Sequence, residues 1–557
     1  MLTILLNWIY IAVTAFCLGK GVSALSGKLF GYRLRRLDSV LMAGMIAATV
    51  YAQIYSLFSG VGLWANVILL VLCGGICVLC RRTIRQDISE GWKAWSLSKK
   101  SLLFVIILLW AYFTSRGYIH YDTDLYHAQS IRWIEEYGVV PGLGNLHERF
   151  AYNSAAFALS ALYSMKFLLG ESMHAVSGFF ALVLSITALD ITKSWKRRKF
   201  ILSDYARVGA IYYLTTITEE VVSPASDYFI MCMIFFIVIK WLDCLELDRG
   251  RENAPVIAPY ALLCVAGVYA MTLKLTAGLI LLLLIKPAYA LIKGKKWREI
   301  LLYLGMGLLV AVPWFARTVV ISGWLVYPFP ALDLFDFDWE MNAELIAVDA
   351  AQVSAWGKAL YNIALLDTPI AQWLPNWFAA TLSGTEKLLI LGNGVCLVLF
   401  AVGLIRMLMK KDWKQLDLAL VLGTMAASYL FWQVSAPLIR YGYAYVLLLD
   451  FLTAGWLIMA FGQEKLEKLV YFVILLYGIY KVFALGQYIS TNYLAEHYVW
   501  QEAYGSYQVE SYQVGNETFY KPVEGDRTGY EYFPSAPTRA QIELRGDRME
   551  DGFRRLK

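Results

Sequence analysis

Apolar runs of about the length needed to cross a lipid bilayer recur along most of this chain. A transmembrane α-helix requires about 20 predominantly apolar residues, and such runs begin at residue 2 and continue to recur as far as residue 487. Only 17% of the 557 residues are charged, against about 25% in an ordinary soluble domain. The pattern excludes a soluble enzyme, a disordered protein and a coiled coil, and it predicts an all-α polytopic membrane protein.

The positions of the basic residues indicate the membrane topology of the chain rather than an anionic binding partner. The formal net charge is +6, but the basic residues form short clusters between apolar runs, for example at 81–100, 293–298 and 406–414. Such clusters mark cytoplasmic loops under the positive-inside rule. We therefore expect a multi-pass protein in a lipid bilayer, with about 12 to 14 spans, both ends outside and no nucleic-acid partner.

Two apolar segments, 154–169 and 172–191, lie between a polar stretch expected outside and the basic cluster at 193–199. If both segments crossed the membrane, that cluster would lie outside, against the rule. The first segment is the shorter and contains three serines. We therefore expect it to lie as a helix at the outer interface while the second segment crosses.

The same rules divide the chain into six parts. We expect transmembrane helices at 1–115, an outer loop with interfacial helices and an acidic motif at 116–170, transmembrane helices at 171–320, a large outer loop at 321–387, transmembrane helices at 388–487 and an extracytoplasmic tail at 488–557. Turn residues and short extended stretches in the tail predict a small cap with some β-structure.

An acidic motif follows the outward-going run that ends near residue 113. It reads Tyr121-Asp-Thr-Asp-Leu-Tyr-His127. One such side chain is enough to cap the helix that follows, so a second acid at the membrane face needs another explanation. Asp122 and Asp124 are therefore candidate catalytic residues, either as a general base or as ligands of a metal ion. His127 lies three residues after Asp124, on the same face of a helix, and is a candidate site-lining residue.

Other charged residues at the ends of apolar runs are expected on the same outer side. Taken singly, each is explained as well by a snorkelling side chain or a solvated loop. Together, groups from separated spans favour one shared polar cavity, in which lysine and arginine would bind phosphate. The candidate phosphate ligands are Lys274, Arg317 and Arg440, and further candidate site-lining residues are Glu220, Asp227 and His147.

This arrangement resembles the GT-C superfamily of integral-membrane glycosyltransferases. Its members carry an acidic motif on a short interfacial helix of the first large outer loop, followed by a second amphipathic segment. A closer resemblance is to a family of bacterial polytopic membrane proteins of uncharacterised function. That resemblance is carried by a DTDLYHAQ-type motif at 122–129, the turn Ser223–Asp227, the regions of Lys274 and Arg317, and the stretch Leu544–Phe553.

The GT-C resemblance implies a transmembrane helix bundle in the bacterial cytoplasmic membrane with an active site that faces outward. It implies transfer of a sugar from a polyprenyl-phosphate donor to a cell-envelope glycan or lipid acceptor, with inversion and with Asp122 or Asp124 as the base. No cofactor follows with certainty, and a divalent cation remains an open alternative. A non-enzymatic transporter or flippase of lipid-linked glycans, and a glycan polymerase or ligase, are the alternative functions.

Overall fold

The chain folds into a mostly helical structure. The computed structural model describes residues 1–116, 120–197, 199–249, 256–329, 331–461, 464–492 and 495–556, so Arg198 of the basic cluster at 193–199 lies outside the described residues. The α-helices, in chain order, are α1 (Leu2–Phe30), α2 (Leu37–Ser56), α3 (Leu63–Ala94), α4 (Leu97–Ser115), α5 (Ala128–Glu136), α6 (Ala155–Tyr163), α7 (Lys166–Leu169), α8 (Val176–Ala188), α9 (Ile191–Arg197), α10 (Leu202–Thr216), α11 (Ser226–Arg249), α12 (Ala258–Leu273), α13 (Ile285–Lys293), α14 (Trp297–Ser322), α15 (Ala343–Gly357), α16 (Ile370–Thr381), α17 (Gly384–Lys410), α18 (Leu416–Ser435), α19 (Ile439–Phe461) and α20 (Glu464–Thr491).

Twelve helical segments in the described part of the chain are long enough and apolar enough to cross a membrane. They are formed by α1 to α4, α8 with the start of α9, α11, the segment Leu275–Lys293, α14 and α17 to α20. The helices α10 and α12 have 15 and 16 residues and are not among these twelve segments, although α12 returns the chain to the end at which α11 starts, since Lys274 pairs with Asp227. The all-α, multi-pass architecture is therefore as expected.

Helix α11 lies at the centre of the bundle. In its most apolar 18-residue window 89% of the residues are buried, against 17% for α17. The sequence between Tyr228 and Ile239 is apolar on every side, which is typical of a helix enclosed by other helices. By contrast, α17 leaves Leu388, Leu391 and Val395 exposed. The first residues of α11 therefore lie at the middle of one end of the bundle.

The segment between α4 and α8 begins and ends at that same end of the bundle. The Gln501 amide donates to the carbonyl oxygens of Thr114 and His174, at 2.8 Å in both cases. Since one side chain reaches both residues, the intervening chain makes no net crossing. Helix α6 has nine residues, about 14 Å of helix, too short for a hydrocarbon core of roughly 30 Å. This geometry agrees with the expectation that segment 154–169 does not cross.

The C-terminal tail contains two small antiparallel hairpins. Strand β1 (Val509–Val514) pairs with β2 (Glu517–Pro522), and β3 (Ile542–Leu544) pairs with β4 (Phe553–Arg555). The two-residue loop between β1 and β2 begins with Gly515 at φ +61°, a conformation that two-residue hairpin loops require and that glycine adopts freely. The turn residues and extended stretches of the tail thus form the β-structure that they predict.

The tail shares one apolar core with the first polar loop and with the residues that follow α14. Trp133 is fully buried there, with the rings of Phe533 and Phe553 at 4.8 and 5.8 Å. The Phe553 N–H donates to the Pro141 carbonyl at 2.9 Å. The adjacent Gly142 has φ +67°, and a Cβ there would lie 2.1 Å from the Phe553 carbonyl oxygen. We call residues 495–556, 133–151, 321–329 and 331–346 together the cap, and the end of the bundle that they cover the cap end.

Candidate active site

Asp122 lies in the segment that links α4 to α5 at the cap end. It directly precedes a single π-helical turn, Thr123–His127, that runs into α5, and its side chain makes no capping hydrogen bond to that turn. π-Helical turns are rare and frequently occur at functional sites. The buried hydroxyls of Thr123 and Ser223 lie 2.8 Å apart. This hydrogen bond brings the motif beside the turn that begins α11.

The Asp122 carboxylate is surrounded by basic side chains. Its Oδ2 accepts from Arg440 Nη2 at 2.8 Å, and Arg149 Nη1 lies 3.7 Å from Oδ1. His120 Nδ1 is 3.5 Å from Oδ2, and the second ring nitrogen of His120 accepts from Arg440. Asp122 keeps 16% of its side chain exposed. It is therefore both held by ion pairs and within reach of a bound molecule.

Asp227 extends this arrangement into a chain of alternating charges. Its Oδ1 accepts from Lys274 Nζ at 2.5 Å, and its Oδ2 lies 3.4 Å from Arg440 Nε. Arg440 therefore bridges Asp122 and Asp227. We call Asp122, Arg149, Asp227, Lys274 and Arg440 the charged cluster.

Three members of the charged cluster lie where a helix begins or ends. Lys274 lies at the tip of a hairpin, in extended backbone (φ −157°, ψ 123°) between α12 and the 3-10 helix Leu275–Leu284. Asp227 is in the first turn of α11, where the helix dipole favours an anion. Arg440 is in the first turn of α19, where the same dipole disfavours a cation. The carboxylates of Asp122 and Asp227 compensate for that position.

The pKa of Asp122 is lower than its ordinary value of 3.8. Burial raises it, but the neighbouring side chains of His127, Arg440, His120 and Arg149 together lower it by more. Burial also lowers the pKa of His127 to about 3, so its ring is neutral at pH 7. The permanent cations beside the ionised Asp122 are therefore the two arginines.

Asp124 contacts the tail rather than the charged cluster. Its Oδ2 accepts from the Tyr507 hydroxyl at 2.8 Å, and its backbone carbonyl accepts from the N–H groups of Thr528 and Gly529 at 3.1 and 2.9 Å. Only 6% of the residue is exposed, and burial raises its pKa. A Cβ at Gly505 would lie 2.6 Å from Asp124 Oδ2, so the tail backbone approaches this carboxyl group closely. Asp122 and Asp124 are two residues apart in the chain, but Asp122 contacts basic side chains whereas Asp124 contacts the tail.

Arg317 does not join the charged cluster. It is 1% exposed, donates from Nε to Asn153 Oδ1 at 2.9 Å, and donates from Nη1 to the Ser56 hydroxyl. Asn153 in turn donates to the Trp314 carbonyl at 2.8 Å. These contacts join α14 to α2 and to the residues before α6. Arg317 is therefore part of the packed interior at the cap end.

The remaining predicted residues lie around the charged cluster without ion pairs to it. Glu220 accepts from the Tyr228 hydroxyl. His127 is 3% exposed, and its ring centre lies 5.4 Å from that of Phe157. His147 Nδ1 lies 3.1 Å from Glu148 Oε2. Of the nine residues predicted for the site, the contacts bring Asp122, Asp227, Lys274 and Arg440 together.

Two residues of the site were not predicted as ligands. Arg149 follows His147 and Glu148 in a polar loop, where a charged side chain is usually solvated, and His120 precedes the acidic motif. For His120, the one signal in the sequence was its position two residues before Asp122. For Arg149 the signal was weaker, since 27 residues separate it from Asp122.

The arrangement fits the binding of an anion beside a carboxylate. Three cations and two carboxylates share one partly exposed cluster, and arginine matches a phosphate with two parallel hydrogen bonds. Among the described residues, no group of three or more histidine, cysteine, aspartate or glutamate side chains is arranged to hold a metal ion. The chemistry that these side chains offer by themselves is proton abstraction next to a bound phosphate.

Comparison with known proteins gives a family and no activity. The family model described as "Domain of unknown function (DUF8201)" matches residues 1–447, about four fifths of the chain. The match spans every member of the charged cluster, while the tail that contacts Asp124 lies beyond it. No curated protein and no solved structure matches the chain.

Proposed function

The chain belongs to the DUF8201 family, and we propose that this protein is a membrane glycosyltransferase. It transfers a sugar from a polyprenyl-phosphate donor to a cell-envelope glycan or lipid. The reaction occurs at the outer face of a bacterial cytoplasmic membrane and inverts the anomeric centre. The observation that carries this proposal is the charged cluster at the cap end. Its five residues come from five separated segments, as expected for a binding site rather than for a local helix contact.

The cations of the charged cluster bind the donor phosphate. Lys274, Arg440 and Arg149 have 22%, 26% and 30% of their side chains exposed. These values show that part of each of the three side chains is accessible to a bound molecule. A phosphate that enters between them exchanges part of their pairing with Asp122 and Asp227 for charge-assisted hydrogen bonds of its own.

Asp122 acts as the general base. A hydroxyl of the acceptor gives its proton to the Asp122 carboxylate, while its oxygen forms a new bond to the anomeric carbon of the sugar. The bond from that carbon to the phosphate oxygen breaks, and the leaving polyprenyl phosphate keeps the electron pair. Lys274, Arg440 and Arg149 stabilise the negative charge that develops on the leaving phosphate.

Donor binding also activates the base. Arg440 and Arg149 lower the pKa of Asp122 in the free protein. A carboxylate of low pKa is a weak base, and the best general base has a pKa near the working pH. A donor phosphate that engages both arginines places negative charge beside Asp122 and raises its pKa. The base therefore gains strength when the donor is in place.

Asp124 has a different part, as an anchor for the cap. Its side chain and its backbone carbonyl hold Tyr507, Thr528 and Gly529 of the tail. The cap is thereby fixed directly above the acid that acts as base. This division of labour assigns catalysis to Asp122 and positioning to Asp124, between which the sequence leaves the choice open.

The distribution of charge with depth favours transfer at one face over transport through the membrane. On α11, Asp227 and Lys240 are thirteen residues apart, about 20 Å along the helix. Lys240 pairs with Asp38 in a second ionic layer, and the residues between the two layers on α11 are apolar. A transporter would need polar groups at successive depths. The central helix α11 carries no charged residue between its two ionic layers, and the acid at intermediate depth on α19, Asp450, accepts from Cys396 Sγ at 3.4 Å.

The proposal is tested by finding the donor and then using it. A strain that lacks the gene is analysed for a lipid-linked sugar that accumulates, and that lipid is supplied to the purified full-length protein. We expect addition of a single sugar to an envelope acceptor, a loss of activity in Arg440→Gln, and retention in Lys28→Gln, which removes a positive charge from an exposed residue of α1. Growth of the product by blocks indicates a polymerase or ligase, and movement of the lipid without transfer contradicts the proposal.

A further inference from the structure

A cleft between α17, α18 and α19 lies at the end of the bundle opposite the cap. It has a volume of about 1080 Å³, counting the part that is open to the surroundings. Its walls are apolar and include Phe400, Leu404, Leu422 and Trp456. A Cβ at Gly403 would still be 3.9 Å from the Trp456 ring. The absence of a side chain at Gly403 therefore helps to keep the cleft open.

Two cations without partners line the mouth of this cleft. Arg406 and Lys410 are one turn apart on α17 and both line it, together with Asp412 and Gln415. Neither cation has an ion pair or hydrogen bond to another described residue. Lys286, by contrast, pairs with Asp417 of α18 at 2.8 Å. Arg406 and Lys410 therefore remain available to an anionic ligand.

The cleft has the depth of one membrane leaflet. Its lining on α17 runs from Leu399 to Lys410, eleven residues or about 16 Å. This is roughly half of a 30 Å hydrocarbon core. An apolar chain that fills the cleft would place its charged head at the level of Arg406 and Lys410.

We infer that this cleft binds one anionic phospholipid. An acyl chain lies between the three helices, and the phosphate contacts Arg406 and Lys410. Two unpaired cations against the single carboxylate of Asp412 favour an anionic headgroup over a zwitterionic one. The site is independent of the proposed transferase activity.

The experiment is a lipid titration followed by native mass spectrometry. Purified full-length protein is delipidated in detergent and titrated with phosphatidylglycerol or with phosphatidylcholine of the same two acyl chains. We expect one tightly retained phosphatidylglycerol and weaker binding of phosphatidylcholine. Equal retention of the two lipids by the wild-type protein overturns the inference without any variant.

Matched variants separate this site from general attraction to a basic loop. Arg406→Gln with Lys410→Gln should weaken phosphatidylglycerol binding by about 30-fold, on the basis of two lipid-facing cations, and should weaken phosphatidylcholine binding by less, because choline offsets the charge of its phosphate. Lys411→Gln with Lys414→Gln removes the same charge from the same loop but outside the cleft lining, and should change binding by less than about threefold. Equal losses in the two double variants contradict the inference.

A third variant tests the chain-binding part of the cleft. Gly403→Leu keeps every charge and fills the space beside Trp456. It should weaken binding of both lipids by a similar factor, because each inserts an acyl chain. Full lipid binding by Gly403→Leu, in protein whose thermal unfolding matches the wild type, refutes the cleft as the binding place.

Discussion

Replacing Tyr507 by phenylalanine removes the hydroxyl that donates to Asp124 Oδ2 at 2.8 Å. A hydrogen bond to a charged group contributes about 1.5 to 3 kcal/mol. Tyr507 is only half-buried, so we expect an effect near the lower limit, about 1.5 kcal/mol. The tail should then open more readily from the acidic motif, while its two hairpins remain formed.

Hydrogen exchange measures this opening directly. The amides of Thr528 and Gly529, which donate to the Asp124 carbonyl, should exchange roughly tenfold faster in Tyr507→Phe, because 1.4 kcal/mol corresponds to a factor of ten. Peptides that cover residues 505–532 report the change by mass spectrometry. Amides in the centre of α11 serve as an internal reference that should not change.

The same substitution at Tyr504 is a matched control. Its hydroxyl is buried without a hydrogen-bond partner, so Tyr504→Phe removes an oxygen that contributes no bond and should leave exchange unchanged or slightly slower. If Tyr507→Phe leaves exchange unchanged, or if both variants accelerate it equally, then Asp124 does not anchor the tail in the way described.

The remaining predictions concern the interior and the pH dependence of the cap. Arg317→Gln leaves Asn153 without its charged donor and should cost about 1 to 3 kcal/mol of stability. We expect a lower thermal unfolding midpoint, with sugar transfer per folded molecule retained. Normal stability together with lost transfer would instead indicate that Arg317 is a phosphate ligand. Lys240→Met leaves Asp38 with Arg36 as its remaining cation and should cost about 1 to 3 kcal/mol. An unchanged unfolding midpoint would contradict the buried pair. Burial raises the pKa of Asp124 above 3.8, so the protonated carboxyl favours tail docking more than the ionised one. This extra stability is fully present below pH 3.8 and is lost as the pH rises through the raised pKa, while the hydrogen bonds from Tyr507, Thr528 and Gly529 remain. Hydrogen exchange of the Thr528 and Gly529 amides, measured at about pH 3.5 and 6 and corrected for intrinsic exchange rates, should show weaker tail docking at the higher pH in the wild type. Asp124→Asn should show no such pH dependence.

The sequence predicts the architecture well because the signal for it is local. Each apolar run carries its own evidence for a helix of a given length, and the basic clusters order these helices without any knowledge of packing. The short segment that includes α6 follows from charge parity alone. The same local reasoning puts Lys274 at the tip between two apolar runs, and Lys274 lies in a helical hairpin of this kind.

The residues that a side chain contacts are often far from it in the sequence, so these contacts were harder to predict. The two arginines that pair with Asp122, Arg149 and Arg440, are 27 and 318 residues away in the chain. Both Asp122 and Asp124 look equivalent in the sequence, and a single π-helical turn gives them different surroundings. Arg317 looked like a cavity cation because its neutral partner Asn153, 164 residues earlier, gave no electrostatic signal.

The central claim is that Asp122 is the base of a sugar transfer and that Asp124 is not. It is tested by measuring transfer from a polyprenyl-phosphate sugar with the purified full-length protein in lipid nanodiscs, for Asp122→Asn and Asp124→Asn side by side. Loss of a general base should lower the rate by about 10²- to 10⁴-fold, so Asp122→Asn should lose nearly all transfer while Asp124→Asn keeps activity within about tenfold of the wild type. Full transfer by Asp122→Asn would contradict the account.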